Sequence, residues 1–119
     1  MNRTTATRIA LVLALVFAVT MALLPKPPHM PIDRFGDKAE HMMAFATIAV
    51  LAALSYPTAR LSRIGERLSF LGALIEVLQS IPSLHRDCDI FDWIADTCAI
   101  TVVLLIVWAI RRGRGARLN

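Results

Sequence analysis

A small set of ionisable and amide side chains interrupts an otherwise apolar chain. Glu76 and Gln79 break one apolar stretch, Asp92 and Asp96 open the next, and His41 opens an earlier one. Carboxyl and imidazole groups are the commonest proton donors and acceptors in catalysis. They also accept hydrogen bonds from sugar hydroxyls and head-group amines. Ionisable groups at membrane depth are costly, so they usually face a bundle interior and mark a functional site.

The elements that must position these groups are four apolar stretches, roughly 9–24, 40–56, 67–81 and 91–110. The first holds no charge, the third only Glu76 within 68–81, and the fourth only Asp92 and Asp96 near its start. A spanning helix needs about 20 apolar residues, within a range of about 17 to 25. The second and third stretches reach that length only with flanking polar residues, whose long side chains can snorkel to the interface. With 119 residues, 56 % of them hydrophobic, the chain is expected to be one membrane domain.

Charge sets the orientation. Arg3, Arg8, Arg60, Arg63, Arg67, Arg111, Arg112, Arg114 and Arg117 alternate along the chain with the acidic segments, and Glu66 is the one acid among them. The other side carries Asp33, Asp37, Glu40, Asp87 and Asp89, with Lys26, Arg34, Lys38 and Arg86. The positive-inside rule then predicts an all-α integral membrane bundle of four transmembrane helices with both termini cytoplasmic. This distribution also accounts for the net charge of +4 without nucleic acid as a partner. Arg3 and Arg8 before an apolar run also fit a secretory signal peptide. Thr20 and Met21 make a poor cleavage site, so a retained first span is expected.

Pro25, Pro27, Pro28 and Pro31 read as a stiff external connector. Asp33 is a plausible cap for the second helix, and Pro57 ends it near Tyr56. The basic segment 57–67 reads as a cytoplasmic loop, and 111–119 as a basic cytoplasmic tail. In the third helix Ser69, Gly72, Glu76, Gln79 and Ser83 recur at helical spacing, so this stripe should face the interior. Trp93 and Trp108 fit interfacial positions at opposite ends of the fourth span. Cys88 in the external loop and Cys98 inside the span differ in depth by about 15 Å, too far for a disulfide.

Helical rise puts Glu76 and Asp96 each about 9 Å, and His41 about 12 Å, from the outer ends of their helices. Asp37, Gln79 and Asp92 form a layer above, with His85 and Arg86 over the opening. Four uses fit this constellation. Glu76, His41 and Asp92 are candidate acids and bases acting on a lipid head group or lipid-linked sugar. Arg86 would then hold a phosphate or carboxylate bidentately, and Asp37, Lys38, Gln79 and Asp96 would complete the binding set. A cation site is a weaker reading, since no tight ligand spacing is present and no metal is expected. A proton path is opposed by the lack of polar residues continuing inward. Lastly, the groups can serve only to hold helices together. Nothing in the residues names a cofactor or decides whether the protein is an enzyme.

Asp37-Lys38-x-x-His41, then Glu76-x-x-Gln79, Arg86, Asp92 and Asp96, resembles the VanZ-like family of small multi-span bacterial membrane proteins. The resemblance covers the chain from about Asp33 to the end of the fourth span. It departs from the family where Asp96 replaces the usual Asn and Ala99 the usual Gly, and where the stretch from Gln79 to Arg86 is one residue longer. The resemblance implies a multi-pass protein of the bacterial inner membrane. An envelope lipid or lipid-linked cell-wall precursor is the expected ligand of the polar site, and the resemblance further implies a bearing on glycopeptide (teicoplanin) susceptibility. The alternative is a non-catalytic structural or partner-binding module.

Overall fold

The computed structural model describes residues 2–23, 33–80 and 90–118, with side chains described over 2–23, 39–80 and 90–114. Four helices follow one another: α1 (Arg3–Leu23), α2 (Asp33–Ser55), α3 (Leu61–Gln79) and α4 (Ile90–Leu118). There is no strand among the described residues. The Pro-rich connector, Ser83, His85, Arg86 and Cys88 lie outside them, as do the side chains of Asp37 and Lys38.

Long-range hydrogen bonds fix the helix directions. Near the start of α1, Arg8 donates from Nε to the carbonyl of Ser55 at 3.0 Å. Arg111, late in α4, donates to the carbonyl of Ala53 at 2.8 Å. The start of α1, the end of α2 and the end of α4 therefore share one end of the bundle. Tyr56–Arg60 is a short turn, with Ala59 N–H bonded to the Tyr56 carbonyl at 3.1 Å, so α3 starts at that end too. At the opposite end Gln79 donates from Nε2 to the carbonyl of Ala22 at 2.8 Å, tying the last turns of α1 and α3 together. The topology is up-down-up-down.

The two arginines have a further role. The last carbonyls of a helix lack intrahelical partners and carry partial negative charge. Arg8 and Arg111 satisfy two of those at the end of α2, and the Arg8 guanidinium also lies 4.8 Å from the Tyr56 ring centroid. Replacing both with Ala should cost about 1 kcal/mol per site, read as a lowered unfolding midpoint in detergent. Loss of only one should cost half as much.

α2 is the central helix and packs most extensively against α4, with α1 on another side. Its packing face is built from small residues. Ala49, Ala52 and Ala53 are 0, 6 and 1 % exposed, which lets the neighbouring backbones approach closely. Ile48, Phe45, Ile75, Ile100 and Leu104 fill the remaining core. The outside is apolar as well. Ile9, Val12, Leu13, Val16 and Phe17 of α1, and Val102, Leu105, Ile106 and Ile110 of α4, are exposed.

Two helices are long and apolar enough to cross a membrane, over Arg3–Leu23 and Ile90–Arg114. Only 11 % of the α1 window and 22 % of the α4 window is buried. Neither is therefore the buried core helix of a water-soluble fold, although α1 also has the make-up of a signal sequence. α2 offers a shorter apolar segment, Ala39–Ser55.

The structure redraws two boundaries. α3 begins at Leu61, so Arg63, Glu66 and Arg67 belong to its first two turns and not to a loop. The basic segment after 110 continues as helix to Leu118. There Arg112 lies 5.2 Å from the Trp108 ring centroid. A helix of 29 residues is about 43 Å long, more than the hydrocarbon core of about 30 Å.

Candidate functional site

The polar stripe of α3 faces inward. Gly72, Glu76 and Gln79 are buried and Ser69 is half-buried. The stripe meets α4, whose Asp96 is buried and whose Asp92 is half-buried. Glu76 is 7 % exposed and Asp96 3 %. Both Glu76 and Asp92 are near enough to Asp96 to act on it as like charges. Asp96 Oδ1 is buried with no hydrogen-bond partner among the described residues, and the same holds for Gln79 Oε1. A buried polar atom without a partner is uncommon in native proteins and calls for an explanation.

A clasp between α3 and α4 holds these groups in register. The Trp93 indole N–H donates to the carbonyl of Ser69 at 3.0 Å. The hydroxyls of Ser69 and Thr97 bond at 3.0 Å. Trp93 is thus half-buried against a neighbouring helix. Its indole needs a partner when buried, and the α3 backbone supplies it.

Gly72 lets the clasp close. A Cβ there would sit 3.4 Å from Trp93 Cδ1, 3.6 Å from Phe45 Cζ and 3.9 Å from Asp96 Oδ2. These are ordinary contacts, so Gly72→Ala should be tolerated and should gain helix propensity. Gly72→Leu has no room, and overpacking should cost about 1–3 kcal/mol. Thermal unfolding of the two variants in one detergent would show opposite shifts. Equal behaviour would mean that α3 and α4 do not meet here.

His41 is half-buried on α2. With Glu40 it lines a cavity of about 360 Å3 between α1, α2 and α3. Phe17, Met21, Phe45 and Ile75 form much of its wall, with Ala18, Ala22 and Ala44 leaving the space. Phe45 is 3 % exposed and stands between the cavity and the acids, since its ring also reaches toward Gly72. Glu40 was not singled out by spacing, because an exposed acid at the start of an apolar helix reads as a surface charge. Its neighbour His41 was the only available signal.

The structure therefore brings Glu76, Asp92 and Asp96 together on α3 and α4, with Gln79 one turn further along α3. It sets His41 at the adjoining cavity. Asp37 and Lys38 fall on α2 N-terminal to His41, and their side chains, like Arg86, lie outside the described residues. Both groups lie toward the end of the bundle opposite Arg8 and Arg111. Cys98 is a free thiol on the exposed face of α4. In comparison with known proteins, no family model, no curated protein and no solved structure matches this chain.

Proposed function

We propose that this chain is a four-span protein of the bacterial inner membrane whose buried acids form an outward-facing site for the polar head of an envelope lipid or lipid-linked precursor. One observation carries the reading: Asp96, almost fully buried near two other carboxyls, leaves Oδ1 without a partner among the described residues. Groups that only hold helices together are paired, because an unpaired buried polar atom weakens the contact it sits in. A ligand that donates hydrogen bonds, such as a hydroxyl-rich sugar or an amine, supplies the missing partner. The apolar exterior and the arginines gathered at the other end support a membrane setting with both termini cytoplasmic.

Within this reading Glu76, Asp92 and His41 are the groups placed for proton transfer. Gln79, Asp96, Asp37, Lys38 and Arg86 serve binding in it. The likeness to the VanZ-like family, and with it a bearing on glycopeptide susceptibility, rests on the order and spacing of these residues alone.

Native mass spectrometry of gently solubilised wild type beside Glu76→Gln and Asp92→Asn tests the site. The expected result is a lipid or sugar-lipid adduct on wild type that both variants lose at equal folding. No adduct on wild type, or no adduct that both variants lose, contradicts the reading.

A further inference from the structure

We infer that the cavity between α1, α2 and α3 holds one acyl chain of a zwitterionic aminophospholipid, with the head group at Glu40 and His41. The inference rests on the membrane-bundle reading above. The volume of about 360 Å3 lies at the small end of ligand pockets, which run from about 300 to 1,000 Å3. That suits one chain and excludes a whole two-chain lipid.

The walls fit a chain and the rim fits a head. Phe17, Met21, Phe45 and Ile75 present only apolar atoms, apart from the soft Met thioether, and the three alanines keep the interior open. Phe17 and Met21 are 67 and 49 % exposed, so the cavity runs out onto the apolar outer face of α1. A chain enters sideways from the bilayer without crossing a polar barrier. Glu40 and His41 are the only ionisable lining residues among those described. The Glu40 carboxylate accepts hydrogen bonds from a head-group ammonium, and a ring N–H of His41 donates to a phosphate oxygen. No Lys or Arg lines the cavity among the described residues, so charge complementarity favours an amine-bearing head over a purely anionic one.

Delipidated full-length protein, incubated with phosphatidylethanolamine or phosphatidylglycerol and read by native mass spectrometry, provides the test. Wild type should retain one phosphatidylethanolamine, about tenfold more than phosphatidylglycerol, a difference of about 1.4 kcal/mol. Ala18→Trp and Ala44→Phe, which fill the cavity from two different helices, should each lose it. Glu40→Gln should retain lipid but lose the preference. Circular dichroism of each variant checks that the helices persist. No phospholipid on wild type, equal retention of both lipids, or undiminished retention by folded cavity-filled variants overturns the inference.

Glu76→Gln in the same series separates the two sites. Retention lost in Glu76→Gln but kept in both filled variants removes the chain site and leaves the acidic site standing. Retention lost only in the filled variants upholds the chain site and takes this lipid's head away from the acids.

Discussion

Asp96→Asn should make the protein more stable, by about 1–3 kcal/mol. Asn has nearly the shape of Asp and removes one of three neighbouring carboxyl charges. It also relieves the desolvation cost of a buried oxygen that has no partner among the described residues. The direction matters more than the size. A carboxyl that held α4 to its neighbours would be paired, and its removal would leave the partner stranded and cost stability. A carboxyl kept for a ligand is a burden on the empty protein, the usual trade between stability and activity. Unfolding midpoints of wild type and Asp96→Asn in the same detergent decide between these. A lower midpoint for the variant assigns Asp96 to helix packing.

Phe45→Ala should be among the most damaging single changes in the core, costing about 3 kcal/mol. The ring is almost fully buried and touches two separate features, the wall of the α1–α3 cavity and the space beside Gly72. In a bilayer the unfolded chain keeps its apolar side chains in lipid, so the transfer term largely vanishes. The loss comes instead from the contacts forfeited around the new void. Phe45→Leu keeps much of the volume and should cost about 1 kcal/mol. If both variants unfold like wild type, Phe45 does not divide the cavity from the acids.

Much of the inward face was legible in the sequence for a simple reason. In the apolar part of α3, beyond Arg67, the few small or polar positions are the protected ones, and Gly72, Glu76 and Gln79 are buried as their spacing required. The start of α3 was not legible, because hydropathy marks where a helix turns apolar and not where it begins. Arg63, Glu66 and Arg67 are ordinary helix residues on an exposed face. Nor was the helical tail, since Arg-rich sequence suits either a helix or an irregular end.

Pairings between distant segments stayed hidden as well. Nothing local says that Gln79 reaches the carbonyl of Ala22 across 57 residues of sequence, or that Trp93 turns toward Ser69. Such partners are set by tertiary packing. The cavity beside His41 arises from three alanines on two helices, each unremarkable in its own segment.

The proposed site requires an acid-bearing bundle that crosses the membrane four times, with its arginine-rich end inside. Four single thiols, introduced one at a time into a Cys88→Ser, Cys98→Ala background or left at Cys88 alone, test it directly in intact cells with an impermeant thiol reagent. Labelling from outside is expected at His29→Cys and at Cys88, and labelling only after lysis at Thr58→Cys and Asn119→Cys. Cys88 and Asn119→Cys labelling from one side would show that α4 does not cross. The inverted pattern would put the acidic site in the cytoplasm and contradict its assignment to an outward-facing lipid.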